Sequence, residues 1–297
     1  MTDTLQVQGE FAPAESSFAA ETLAAAVVAD AAADAVTAEP NGFIELGLAP
    51  ELVQAVADLG YTQPTSVQLK AIPLAMGSGN DSTSFIDLMV SSQTGSGKTA
   101  AFLLPVLHTL IQQQAAAEAE ERAAFERAVA EAAARGEPAP KRAKRKDPTN
   151  SRNFKAATPG ALILCPTREL AQQVAHDAID LVKHCRGLRV ANVVGGMPYQ
   201  LQIAKLQNAN LVVATPGRLL DLQRSMQIKL DKVQFLVVDE ADRMLDLGFS
   251  DDLAELNQLT SQRKQTMMFS ATFAPRIQQL AMRVMHDGGS SVQKVTI

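Results

Sequence analysis

The sequence has 297 residues, 46% of them hydrophobic, enough chain for one large core or two small ones and a composition that excludes a wholly disordered protein. The formal charge of -5 is unevenly spread: residues 1–40 hold seven acids and no Lys or Arg, which leaves 25 acids against 27 bases elsewhere, a balance that neither demands nor excludes a nucleic-acid partner. Cys165 and Cys185 build no disulfide framework and match no metal-ligand spacing, and no apolar run approaches the roughly 20 residues of a membrane span, so a soluble protein of a reducing, cytoplasmic compartment is expected.

Residues 1–40 are rich in Ala and acids, with Phe11 and Phe18 as the sole aromatics, and read as a disordered acidic arm ahead of a folded domain over 41–297. Within that domain, short apolar runs recur at Asp87 to Ser92, Ala161 to Cys165, Arg189 to Val194, Leu211 to Ala214, Phe235 to Val238 and Thr266 to Phe269, each followed by a helical pattern. Continuous Val, Leu and Ile runs predict strands buried on both faces. Their alternation with helices predicts an α/β fold, a doubly wound and mostly parallel sheet with helices on both faces, whose chemistry lies beyond the carboxyl ends of the strands.

The first run ends in SQTGSGKT, residues 92–99, and leads into a helix with Ala101, Phe102, Val106 and Leu110 at core spacing. Gly95 and Gly97 let the backbone of Ser92, Gln93, Thr94 and Ser96 curl so that its N–H groups face phosphate oxygens; Lys98 adds a cation, and Thr99 is placed to ligate magnesium. Ser92 stands where the generic phosphate loop has its first glycine. Pro105 falls inside the helix and predicts a kink. From about Gln112 to Lys155 a Gln/Ala/Glu/Arg segment, then Gly136, Pro138, Pro140 and the basic cluster Lys141, Arg142, Lys144, Arg145, Lys146, reads as an inserted exposed helix and loop; the cluster is either a solvated linker or a phosphate contact.

About 140 residues after the phosphate loop, Phe235 to Val238 delivers Asp239-Glu240-Ala241-Asp242 to the same sheet margin. One carboxylate at a strand end holds magnesium and its neighbour orients or deprotonates the attacking water. Asp239 and Glu240 are therefore the candidate metal ligand and base, with Lys98 on the phosphates, which makes the chain a candidate ATP hydrolase.

Phosphate loop and DEAD together resemble the DEAD-box RNA helicase family over about residues 41–297, and imply a RecA-like ATP-binding domain with ATP and Mg2+ as cofactors. Under this resemblance, Phe43, Tyr61 and Gln68, around GYTQPTSVQ at 60–68, are similar to the family's adenine-reading element, with Gln68 donating and accepting at the base edge and Phe43 stacking; Ser66-Val67 replaces the usual Pro-Ile, and about Gly79 to Ile86 is an insertion. Pro166, Thr167 and Arg168 in PTREL, the pair Gly195 and Gly196, and Thr215, Pro216, Gly217 and Arg218 in TPGR resemble the loops that grip RNA through its backbone without reading sequence. For Arg168 and Arg218 an ordinary ion pair with a nearby acid is the competing reading. Ser270, Ala271 and Thr272 resemble the element coupling nucleotide to strand separation, through hydrogen bonds to the DEAD segment, with Asp242 as the expected partner. His108, His176, His184 and His286 share no ligand spacing, and Met267-Met268 reads as core.

In the family a second domain follows Ser-Ala-Thr and supplies arginine fingers; this sequence ends about 25 residues past Thr272. Loss of such an arginine costs about 10³–10⁵ in turnover, so slow hydrolysis and negligible unwinding are expected of this chain alone. A DNA-directed motor of the same superfamily and a non-catalytic RNA scaffold are the two competing readings.

Overall fold

The computed structural model describes residues 41–77, 85–144, 152 and 154–297. The predicted acidic arm, most of the insertion at 79–86, and Arg145 and Lys146 of the basic cluster lie outside the described residues.

The described residues form a seven-stranded sheet: β1 (Leu88–Ser91), β2 (Ala161–Leu164), β3 (Val190–Val193), β4 (Leu211–Ala214), β5 (Phe235–Val238), β6 (Gln265–Ser270) and β7 (Gln293–Thr296), in the order β3-β4-β2-β5-β6-β1-β7 and parallel at every pairing. Parallel neighbours need crossovers, and the helices supply them: α1 (Pro50–Asp58), α2 (Ser66–Ala75), α3 (Lys98–Ala134), α4 (Arg168–Leu181), α5 (Tyr199–Leu206), α6 (Pro216–Arg224), α7 (Ala241–Asp246), α8 (Ser250–Leu259) and α9 (Pro275–Val284). Side chains alternate across the strands into two cores. Leu88, Val90, Ile163, Val213, Val237 and Phe269 pack under α1 to α4, while Met89, Leu162, Val212, Leu236 and Met268 pack under α6 to α9. Burial on both faces is why these strands read as unbroken apolar runs.

The predicted strands are present with ends shifted by a residue or so; β7 is an addition. It covers the outer edge of β1 in the register Leu88↔Gln293 to Ser91↔Thr296, and of its residues Val295 alone is buried. Without an apolar run it carries no strand signal. The insertion also differs in kind from a separate helix. No helix breaker occurs between Leu110 and Gly136, so the phosphate-loop helix runs on without interruption, and continuously across Pro105, for 37 residues. At 1.5 Å per residue it is about 55 Å long. By Gln113, which exchanges hydrogen bonds of 2.7 and 3.0 Å with Gln234 just before β5, α3 has crossed to the amino margin of the sheet, and most of its remaining length is exposed. Arg142 folds back over the Phe125 ring, 5.2 Å from its centroid.

Two polar groups pin the core. His108, buried on α3, accepts a hydrogen bond at Nδ1 from the Ala49 N–H (2.9 Å), the cap of α1, and burial lowers its pKa, so the ring is neutral with its proton on Nε2. At the amino margin the buried Asp87 accepts from Thr266 N–H (2.8 Å), His286 N–H (2.5 Å) and His286 Nδ1 (2.9 Å), tying the segment after α9 to the starts of β1 and β6.

Candidate functional site

Strand order divides the carboxyl margin into two adjoining halves. The phosphate loop, the DEAD segment and Ser270-Ala271-Thr272 follow β1, β5 and β6, three consecutive strands; PTREL, Gly195-Gly196 and TPGR follow β2, β3 and β4, three more.

In the first half Lys98, at the start of α3, places its ammonium 3.0 Å from Asp239 Oδ1 and 3.5 Å from Glu240 Oε1. Gly97 caps α3 in a left-handed conformation (φ 81°), and a Cβ there would meet Gln68 Nε2 at 2.5 Å and Thr65 Oγ1 at 2.9 Å, so glycine is required on both counts. Glu240 is itself left-handed (φ 48°, ψ 56°), a conformation that costs a non-glycine residue about 1–2 kcal/mol. It persists because β5 ends in a fully buried aspartate whose Oδ1 accepts the Glu240 N–H at 3.0 Å. The turn keeps Asp239 inside and sends Glu240 to the wall of a cavity of about 110 Å³, shared with Thr94, Gly95, Gly97, Lys98, Thr99 and Ala100.

Burial alone would lower the Lys98 pKa, yet the carboxylates of Asp239 and Glu240 outweigh it and hold it above the ordinary value. Burial pushes the Asp239 carboxyl upward against the opposing pull of Lys98. The contact is therefore under-solvated, with Asp239 fully buried and Lys98 partly so. Asp239 Oδ2 is buried with no hydrogen-bond partner, and Thr99, next to Lys98 in sequence, is also buried. An orphaned carboxylate oxygen and a hydroxyl are hard donors suited to a hydrated Mg2+, which keeps several waters and takes few protein ligands. Ser92 is also buried with its hydroxyl unpartnered, while the exposed Ser96 hydroxyl donates to Gln93 O at 2.7 Å and closes the loop turn.

The cavity's remaining wall is Leu170, Gln173 and Val174 of α4. Sequence reading missed these three because their helical spacing signals packing and nothing else.

Gln68 caps α2 reciprocally with Thr65, accepting from Thr65 N–H at 3.0 Å, and also donates to Gly97 O at 3.1 Å, so it physically joins its segment to the phosphate loop. Tyr61 is buried. Phe43 is 1% exposed within the core and offers no open ring face to a base in this structure.

In the second half, Thr167 caps α4 by accepting from Leu170 N–H (3.3 Å), and the exposed Arg168 lies against Gly196, where a Cβ would collide with its guanidinium. Arg218, in the first turn of α6 behind Thr215, Pro216 and Gly217, donates to Gln202 Oε1 (3.3 Å) and stacks on Tyr199 at 5.5 Å. Among the described residues neither arginine pairs with a carboxylate. Sequence reading did not identify Tyr199 or Gln202; a tyrosine three residues after Gly196 was the available signal.

The coupling element departs from expectation. Ser270 Oγ is buried without a partner, so no hydrogen bond to the DEAD segment is made from it. The observed tie runs instead from Ser91 Oγ to Ala271 O at 3.4 Å, because β6 pairs Ser270 with Ser91 on β1. Among the described residues no His, Cys, Asp and Glu group has metal-site spacing and no helix is long and apolar enough to cross a membrane.

The family model for DEAD/DEAH box helicase matches residues 65–280. The chain is 38% identical over 247 residues to DEAD-box ATP-dependent RNA helicase 52A of Oryza sativa subsp. japonica, covering 81% of this chain and 35% of that protein. It is 37% identical over 246 residues to RNA helicase CrhR of Synechocystis, covering 82% of this chain and 40% of that protein. The crystal structure of a DEAD box protein from Methanococcus jannaschii aligns with a TM-score of 0.62 and 29% identity over 86% of this chain and 55% of that one. The chain thus spans 35–40% of the length of these curated relatives. Matching motifs, an aligned fold and a family match over most of its length agree: this chain belongs to the DEAD/DEAH box helicase family.

Proposed function

We propose that residues 41–297 are the ATP-binding motor domain of an ATP-dependent RNA helicase, which binds Mg·ATP at the β1-β6-β5 half of the margin and the backbone of single-stranded RNA at the β2-β4-β3 half. The observation that carries this reading is the convergence of Lys98, Asp239 and Glu240, 141 and 142 residues apart in sequence, within 3.0–3.5 Å around the glycine turn at Gly97. When nucleotide enters, Lys98 exchanges carboxylates for phosphate oxygens. Thr99 and Asp239 would hold a magnesium ion, which would supply positive charge against the phosphates, and Glu240 would face the attacking water. Its strained backbone fixes that aim without help from substrate. Arg168, Arg218 and the loops beside them touch phosphate and sugar, which makes binding independent of sequence.

No arginine is among the described residues lining the cavity. The reading includes slow hydrolysis and negligible unwinding by this chain alone, with a second domain that closes on the first as the proposed source of an arginine and of the rest of the RNA path. Glu240→Gln keeps the size and most hydrogen bonds of Glu240 but removes its basicity. ATP affinity by titration calorimetry should persist while turnover falls by about 10²–10⁴; equal turnover in the two proteins would take Glu240 out of that role.

A further inference from the structure

Within the RNA-facing half, the arginines differ from others on the same side of the molecule in what holds them. Arg224 is neutralised by Glu255 at 2.8 Å and Arg276 by Asp246. Arg218 is held by neutral groups. Its guanidinium stacks on the Tyr199 ring, and one edge donates to the buried Gln202.

Both supports are themselves tied down. Gln202 Nε2 donates to the Val194 carbonyl, which forces the amide orientation and leaves Oε1 for Arg218. The Tyr199 hydroxyl reaches Ser225 Oγ at 2.6 Å and Asp221 O at 3.4 Å, so the ring spans from the start of α5 to the end of α6. A free arginine side chain carries about 2 kcal/mol of rotamer entropy, part of which is lost on gripping an anion. Here the side chain is ordered in advance while its charge stays uncompensated, and its remaining N–H groups are available. Carboxylate partners would order it equally well and cancel the charge.

We propose that Tyr199, backed by Gln202, is a positioning residue that presets Arg218 for a phosphate of the RNA strand. The inference rests on the RNA-binding reading given above and adds to it the device that readies one of its cations. Tyr199 acts through Arg218 and not by touching RNA itself.

The test is a double-mutant cycle on the full 297-residue chain, reading anisotropy of a fluorescein-labelled single-stranded oligouridylate across a salt series, with thermal melts to confirm folding. Arg218→Ala should weaken binding about 10-fold or more, as expected for a charge-assisted contact, and lower the slope of log affinity against log salt by about 0.7. Tyr199→Ala should weaken binding by about 2–5-fold, the worth of an exposed cation–π pair, and have no further effect when Arg218 is already alanine. Tyr199→Phe, which keeps the ring and loses the Ser225 tie, should fall between. An equal loss from Tyr199→Ala with and without Arg218, or no loss at all in the presence of Arg218, overturns the positioning role. Should Tyr199→Ala melt early, Tyr199→Leu takes its place in the cycle. Unchanged affinity in Arg218→Ala, or no measurable binding by the unaltered chain, defeats the RNA reading itself, an outcome distinct from failure of Tyr199 alone.

Discussion

Asp87 and Asp239 are both buried aspartates at strand ends of one sheet, at opposite margins. Asp87 precedes β1 and is saturated: two backbone N–H groups and an imidazole nitrogen converge on its two oxygens. Asp239 follows β5 and is left short, with Lys98 and one N–H on Oδ1 and nothing on Oδ2. The same side chain at the same depth is a fastener at one margin and an open ligand at the other, because a native fold satisfies buried polar groups wherever it has no other use for them. Ser92 and Ser270, also buried with unpartnered hydroxyls, lie on the open margin as well, as does the left-handed Glu240.

The contrast makes substitutions at the two margins separable. Asp87→Ala strands the Thr266 and His286 N–H groups at roughly 1–3 kcal/mol each, so denaturant unfolding should show a loss of about 2–5 kcal/mol, with nucleotide affinity of the folded fraction unchanged. A loss of nucleotide binding in that variant would mean the margins are not independent. Gly97→Ala asks a left-handed residue to carry a Cβ, at about 1–2 kcal/mol, and drives that Cβ into the Gln68 amide. Smaller harm to stability is expected than from Asp87→Ala, with a sharp loss of ATP affinity by calorimetry; retained affinity would show that the joint between Gln68 and the phosphate loop is dispensable.

The smallest expected effect comes from His108. Held neutral by burial, it binds fewer protons in the fold than in the unfolded chain between its lowered folded pKa and the ordinary 6.5. Its contribution is therefore complete above 6.5 and is lost as pH falls through that window. Asn offers an acceptor oxygen where Nδ1 stood and does not titrate. His108→Asn should flatten the decline in melting temperature between about pH 7 and 5, and an identical decline in both proteins would assign it to other groups.

Much of the fold was legible because the central strands are buried on both faces, which writes an unbroken apolar run into the chain, as at Leu211–Ala214 and Phe235–Val238. The edge strand β7 buries Val295 alone and wrote nothing comparable. The phosphate loop and DEAD segment were legible because each needs particular residue types in consecutive positions. What joins elements far apart in sequence was not: the Asp87–His286 fastener spans 199 residues, and the packing of α4 against the phosphate loop leaves no mark beyond ordinary helical spacing. The Gln68 amide is a mixed case, since its capping box is a local signal and its bond to Gly97 is not. The surroundings of Ser270 are another such case, as strand register pairs it with Ser91 and leaves its hydroxyl unpartnered.

The most direct test of the open margin is the magnesium dependence of ATP affinity in Asp239→Asn, measured by calorimetry with and without Mg2+ beside the unaltered chain. Asparagine keeps the shape and one acceptor but not the charge or the spare carboxylate oxygen. The unaltered chain should bind ATP more tightly when Mg2+ is present, and Asp239→Asn should bind ATP equally in both conditions. The same Mg2+ enhancement in both proteins would contradict the assignment of Asp239 as the metal-holding carboxylate, and with it the distinction between the two margins.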